Sequence, residues 1–402
     1  MRHVQSDSNL VSPMTGPHHA APLRVVLVCQ DQRWVAAVRE AVAAAGGVVE
    51  TVSADAAVAR LASATPDVTH MLVDPAAADG LTGVLSALTY DTASAGTAFL
   101  VLGLRHKPLP GARVIAAPDR ARITAALSAA RAPPPPTPPV LPMADLVRLV
   151  HDGLIETRYQ PIARMADGVI TSAEVLARLN HPQHGALPPD WFIPRFEETG
   201  LAFGLTNLVS TRAFDDWAFP GFPRIAIAVN YPLNVLSHPG VAAALDEQRA
   251  ARGLTAADVV IELTESRPVE DFAALSRSLE HLRAVGYRIS IDDAGPAVKN
   301  LDRLLTLPFT GLKLDKSIVD RIGTRHPDAA TAPAIIARAQ KLGLNVVAEG
   351  VETQAGWDRL RALGVAEAQG FFIARPLPAA AVPVWLAAWD AGSAQRNDRG
   401  QV

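Results

Sequence analysis

The sequence predicts two α/β domains in series, a doubly wound parallel sheet followed by a larger eight-stranded barrel. Three observations carry this. Between Leu23 and Arg131, short β-branched runs alternate with amphipathic helical segments. A proline-dense stretch from Ala132 to Pro142 then interrupts the pattern, and proline at that density favours a semi-rigid extended spacer. Beyond it, eight further strand candidates separated mostly by helices occupy roughly 240 residues, the length such a barrel requires. The expected boundaries are a disordered tail at 1–22, a first domain at 23–131, a linker at 132–142, a barrel at 143–389 and a C-terminal tail at 390–402.

In the first domain the expected strands are 23–29, 48–52, 69–74, 97–102 and 113–116, with helices at 34–45, 55–64 and 120–131. Gly46-Gly47 stops the first helix. This region resembles a response-regulator receiver domain, with a flavodoxin-like sheet. Asp74 stands at the end of the third strand, where the phosphoacceptor would be, and Asp31 follows the first. The usual acidic pair is Gln30-Asp31 here, the usual Thr or Ser after the fourth strand is Gly103, and the usual Lys before Pro118 is Ala117. Phosphoryl transfer needs acids holding Mg²⁺ and a lysine over the phosphoryl oxygens. Two readings stand: a pseudo-receiver used for dimerisation or protein contact, and Asp74 as a working phosphosite.

In the barrel a helix from Met143 stops at Gly153, and the strands are 156–160, 169–174, 224–230, 259–262, 288–292, 311–315, 345–349 and 367–369. The first two lie too close in sequence for a helical crossover. They are expected to pair antiparallel around Asp167-Gly168, a departure from the all-parallel TIM-type (β/α)8 barrel. Each strand ends polar: Gln160, Glu174, Asn230, Glu262, Asp292 with Asp293, Lys313 with Asp315, Glu349 and Gln369. Strand ends of such a barrel converge on one mouth. A lone Glu after a strand is ordinarily a helix N-terminal charge, but eight polar ends after apolar interiors make a constellation. Its donors are oxygens and one amine, without cysteine or histidine. Hard oxygen ligands select Mg²⁺ or Mn²⁺ over Zn²⁺, and the number of carboxylates exceeds what one ion needs, so two ions are expected.

Composition limits the alternatives. The chain has 402 residues, 49% hydrophobic, with 37 basic against 40 acidic side chains, so nothing advertises a nucleic-acid polymer or a membrane surface as partner. The single Cys29 excludes an internal disulfide and fits a reducing compartment. No uncharged apolar run approaches the ~20 residues of a membrane span, and residues 1–22 lack the apolar core of a signal peptide. A cytoplasmic protein is expected.

Residues 143–389 resemble the EAL domain, the cyclic di-GMP phosphodiesterase fold. The motifs that carry the resemblance are Tyr159-Gln160-Pro161-Ile162, Glu174-Val175-Leu176-Ala177-Arg178, His181-Pro182, Glu197-Glu198-Thr199-Gly200-Leu201, Val229-Asn230, Glu262-Leu263-Thr264-Glu265, Asp292-Asp293, Leu312-Lys313-Leu314-Asp315, Glu349-Gly350-Val351-Glu352 and Gln369-Gly370-Phe371-Phe372. The resemblance implies that Glu174, Asn230, Glu262 and Asp292 hold a first metal and Asp293 a second, with Asp292 as a bridge in some members. It implies that Lys313 and Glu349 position or activate the water, with Asp315 nearby. Arg178 would pair with a substrate phosphate, and Gln160, Leu176 and Gln369 would contact substrate or organise the mouth. Glu265 would anchor the loop after Asp293, which in the family couples metal binding to a homodimer contact. That loop departs from the family pattern, reading Ala294-Gly295-Pro296-Ala297-Val298-Lys299, so a glycine and an aromatic are lost and a proline fixes φ. The implied activity is hydrolysis of cyclic di-GMP to linear pGpG, slowed by the altered loop. The alternative is a catalytically impaired receptor for cyclic di-GMP or for a protein partner.

Overall fold

The computed structural model describes residues 23–398 apart from 63–67, 79, 83, 86–87, 89–97, 104–112, 129–138, 265–270 and 295–300. The expected N-terminal tail, most of the linker, Glu265 and residues 295–299 of the altered loop lie outside the described residues.

The N-terminal domain is one parallel sheet, β1 (Arg24–Val28), β2 (Val48–Thr51), β3 (His70–Val73), β4 (Ala98–Leu102) and β5 (Arg113–Ile115), in the order β2-β1-β3-β4-β5. That order is the flavodoxin-like winding. Strand alternation splits its side chains between two layers. Val25, Leu27, Leu72 and Leu100 pack under α1 (Gln32–Ala44) and α3 (Arg120–Ser128), whereas Val26, Val28, Met71 and Val101 pack under α2 (Ala54–Leu61).

The barrel follows α4 (Met143–His151). Its strands are β6 (Ile155–Arg164), β7 (Ile170–His181), β9 (Ala226–Pro232), β10 (Val259–Thr264), β11 (Arg288–Ala294), β12 (Gly311–Leu314), β13 (Asn345–Ala348) and β14 (Glu367–Gln369). The sheet runs β6-β14-β13-β12-β11-β10-β9-β7, and β6 pairs again with β7 to close it. β6 is antiparallel to both neighbours, as the short first connection requires. A short extra strand, β8 (Gly185–Leu187), hangs antiparallel on β7. Helices α5 (Pro189–Glu198), α6 (Ala202–Ala218), α7 (Leu233–Leu236), α8 (Val241–Ala251), α9 (Phe272–Val285), α10 (Leu301–Leu304), α11 (Lys316–Val319), α12 (Thr331–Lys341), α13 (Gln354–Ala362) and α14 (Val382–Asp398) complete the described elements. Helix α9 shows why such segments start and stop. Asp271 accepts from the Ala274 N–H at its N-cap, and Gly286, at φ 112°, ends it in the left-handed region.

Two expectations need correction. Gln160 and Glu174 are not strand ends, because β6 and β7 continue as a long hairpin well past them. They sit opposite each other in the pairing register instead. The segment read as a C-terminal tail from 390 begins as helix, since α14 runs to Asp398. Helix α14 packs on α2 of the first domain, and the Arg375 N–H donates to the Ala62 carbonyl (2.9 Å). Among the described residues no helix is long and apolar enough to cross a membrane.

Candidate active site

Lys313 organises the mouth of the barrel. It lies inside β12, fully buried, and an ammonium there is stable only if it is paired. Four carboxylates from four other strands or their ends meet it: Glu174 Oε2 at 3.0 Å, Glu262 Oε2 at 3.1 Å, Asp292 Oδ1 at 3.3 Å and Glu349 Oε1 at 2.5 Å. One cation among four acids leaves the cluster with an excess of acid groups. The acids respond unequally. Burial pushes the Glu262 carboxyl well above its usual range, reinforced by Glu174, Asp292 and Glu349 against the pull of Lys313. Burial likewise raises Asp292, and raises Glu349 to about 8. Burial opposes ionisation of Glu174 too, but Lys313 and the Gln369 and Asn230 amides hold its carboxyl below the ordinary value. Lys313 stays a cation, since the acids outweigh its loss of hydration.

The amides form a second tier. Gln369 Nε2 donates to Glu174 Oε2 (2.6 Å) and to Gln160 Oε1 (3.1 Å), and Gln160 Nε2 donates to the Ala374 carbonyl (3.2 Å). Asn230 Nδ2 donates to Glu174 Oε1 (2.9 Å), which leaves its Oδ1 buried without a hydrogen bond. The loops behind this tier are tightly held. Val351 N–H donates to the Gln369 carbonyl (3.0 Å), and Gly370 approaches so closely that a Cβ there would fall 2.2 Å from Val351 O. Only glycine fits there, which packs the segment that follows Glu349 against the end of β14, where Gln369 stands.

Adjacent residues of a strand point to opposite faces, so Asp292 and Asp293 should diverge. They do not, because the pairing of β11 with β12 shifts register between Ile291 and Ala294, and Asp293 takes φ 52°. It is the only non-glycine residue with positive φ among the described residues. The irregularity brings carboxylate oxygens of Asp292, Asp293 and Glu349 within 4.8 Å of one another. Burial, then Asp292 and Asp315, pushes the Asp293 carboxyl up to about 6.

The donor set fits divalent cations. Its ligand atoms are carboxylate and amide oxygens. Asn230 Oδ1 and Asp292 Oδ1 are buried without hydrogen bonds, although the second is within ion-pair distance of Lys313. Buried oxygens left bare in this way are costly unless an ion or water meets them.

Other expected residues stand apart. Asp315 is the N-cap of α11, its Oδ1 accepting from the Ser317 N–H (2.9 Å). Leu176 and Arg178 share the face of β7 that bears Glu174, and Arg178 is about 13 Å along the strand from it. The Arg178 guanidinium donates to the Ala177 carbonyl (2.9 Å). Asp74 is in the other domain, its Oδ1 capping a short turn at Ala76 N–H (3.0 Å) and its Oδ2 3.7 Å from the buried Cys29 thiol. Asp31 is tied to the Arg33 guanidinium at 2.8 Å. Sequence reasoning missed a cavity of about 230 Å³ beside the cluster, lined by Leu176, Ile193, Leu205 and Val209 and reaching Asn230 and Asp292. The apolar faces of α5 and α6 were its signal. It also missed Arg158, which lies across the hairpin from Leu176 and is buried.

The EAL domain family matches residues 143–376, more than half of the chain. The cyclic di-GMP phosphodiesterase NbdA of Pseudomonas aeruginosa is 38% identical over 251 residues, covering 61% of this chain and 32% of that protein. The cyclic di-GMP phosphodiesterase RocR of the same organism is 34% identical over 242 residues, 59% of this chain and 61% of that one. The chain thus spans less than two thirds of the length of either relative. Among solved structures, the PaMucR phosphodiesterase in complex with c-di-GMP superimposes with a TM-score of 0.55 at 34% identity, covering 59% of this chain and 98% of that one.

Proposed function

The chain belongs to the EAL domain family, and from that premise we propose that it is a metal-dependent phosphodiesterase that opens one phosphodiester bond of cyclic di-GMP to give linear pGpG. The observation that carries this reading is the convergence of Glu174, Glu262, Asp292 and Glu349 on one buried lysine, with Asp293 swung into the same space. A receptor that only binds needs no such group.

Glu174, Asn230, Glu262 and Asp292 would hold one Mg²⁺ or Mn²⁺, and Asp293, with Asp292, a second. Ions so held would lower the pKa of a nearby water and would neutralise charge on the phosphoryl oxygens. The chain's own groups do the rest. Glu349 points its carboxylate beside Lys313, where it can accept the proton of the attacking water. Lys313 supplies a fixed positive charge toward the negative charge that builds in the transition state. Gln369 and Asn230 fix the orientation of Glu174 by donating to both of its oxygens. The cavity beside Leu176 would receive a guanine base, and Arg178 would meet a phosphate further out. Asp315 would lie near the second ion and adds to the charge that raises the Asp293 carboxyl, and Glu265 would brace the loop. A homodimer through the barrel, with or without the first domain, follows from the family resemblance alone, and the domain limits at 23–131 and 143–389 from the sequence pattern and the proline-dense stretch between them.

Incubation with cyclic di-GMP and Mn²⁺, followed by chromatography, tests the reading. Linear product is expected. Binding without product would sink it and favour the receptor reading, which the altered sequence from Ala294 to Lys299 supports. Sedimentation velocity tests the dimer.

A further inference from the structure

Beneath the Lys313 cluster the barrel is hollow. A cavity of about 230 Å³ opens at the N-terminal rim, among Arg288, Asn345 and Glu367, and ends against Glu262. Barrels of this kind ordinarily fill that space with layers of bulky branched side chains. Here Ser172, Ala228 and Ser290 supply part of its wall on three strands. The volume accommodates several waters, each taking about 30 Å³ in the liquid.

Part of the lining is polar, with Ser172, Ser290 and Glu262 beside Ile162, Val260 and Val347. Ser172 is 4% exposed, and it lines the hollow. Ser290 is 6% exposed and reaches only the Ile291 carbonyl, at 3.5 Å, the outer limit of a hydrogen bond. Glu262 is 2% exposed; one oxygen receives Lys313 and the carboxylate also faces the hollow. Buried hydroxyls and carboxylates are met by protein or by ordered water, and the hollow leaves room for water beside these groups.

We propose that this hollow is a water-filled shaft whose innermost waters hydrogen-bond Glu262 from beneath, through Ser172 and Ser290, and so orient it as a metal ligand. The inference rests on the assignment of Glu262 as a ligand above. Groups that hydrogen-bond a ligand set its direction and basicity, and their loss typically costs about 10–100-fold in metal affinity. The shaft does this with solvent, from the face of the barrel opposite the substrate. A cyclic dinucleotide closing the mouth would leave it undisturbed.

The test has a structural and a binding arm, both on the full chain. A crystal structure of the wild type is expected to show ordered water running from the rim to Glu262 and touching Ser172 Oγ; a dry or collapsed shaft overturns the proposal. In calorimetric titration with Mn²⁺, Ser290→Leu and Ser172→Leu, which fill the shaft from different strands, are each expected to weaken binding about 10-fold or more. Ser290→Ala, which leaves room for water, should stay within about twofold of the wild type. Wild-type affinity in both leucine variants, or loss in only one of them, overturns it. A wild type that takes up no Mn²⁺ overturns the metal centre itself, and ordered water against Glu262 in that protein would still support the hydrated shaft.

Discussion

Both domains carry acids at the C-terminal edge of a parallel sheet, and the two sets behave differently. In the first domain Asp31 is spent on Arg33 and on capping α1, and Asp74 caps the turn that follows it. Each is satisfied within two residues of itself. In the barrel Glu174, Glu262, Asp292 and Glu349 cap no described helix or turn, and the partner they share is a lysine on another strand. A carboxylate bound to its own turn is spoken for, whereas one bound only across strands is held ready for something else. Asp315 shows that the distinction does not follow the domain boundary: it lies in the barrel, yet it caps α11 as the first-domain acids cap theirs.

The contrast can be broken in several places. Glu174→Ala should have the largest effect, lowering hydrolysis more than about 100-fold, beyond what loss of a ligand's supporting partner costs. Product formation and Mn²⁺ titration check it, and product that persists unchanged would remove Glu174 from the site. Lys313→Met should lower kcat by about 10²–10³-fold, as removal of a fixed transition-state charge does, and should also lower thermal stability by leaving buried acids unpaired.

Stability against pH sharpens the comparison without any substrate. Folding raises the Asp293 carboxyl to about 6 and the Glu349 carboxyl to about 8. The folded state therefore binds more protons than the unfolded chain between their ordinary values and these raised ones, and stability falls as pH rises through that window. The metal-free protein should melt at lower temperature at pH 8 than at pH 5, and Mn²⁺ should restore most of the loss at pH 8. A metal-free melting temperature that rises over the same range would contradict the assignment.

The smallest effects belong to the capping acids. Asp315→Ala should cost about 1 kcal/mol of stability, the worth of an N-cap, with hydrolysis within a few-fold of wild type; a hundred-fold loss would return Asp315 to the catalytic group. Asp74→Ala should leave hydrolysis unchanged, and intact mass should not shift after treatment of the wild type with a small phosphodonor. An added phosphoryl mass that vanishes in Asp74→Ala would reinstate the phosphosite.

Much of this was legible in the residues, for physical reasons. Ile289 and Ile291 alternating with Ser290 announce a strand with an inside and an outside, and the short first connection forces β6 to run antiparallel. The strand β8 was not legible, since Gly185-Ala186-Leu187 is too short to show a period and exists only because β7 offers an edge. Pro161 hid the true length of β6, because proline ordinarily ends a strand; the long hairpin with β7 carries it through. The approach of Asp293 to Asp292 was invisible for a deeper reason. Adjacent residues point apart by default, and only the register shift with β12 reverses that. The shaft was equally hidden, since three small residues on three strands make a void only once the barrel is closed.

The bond from Arg375 N–H to the Ala62 carbonyl, together with the packing of α14 on α2, joins the α2-facing layer of the first domain's core to the core of the barrel, and the sheet of the first domain links that layer to the one around Trp34. A chain of two independently cored units melts in two steps, whereas a shared core makes the parts cooperative. Denaturation followed at Trp34, in the first domain, and at Trp357, in the barrel, should therefore trace a single coincident curve. On that view the proline spacer separates two stretches of sequence but not two units of unfolding.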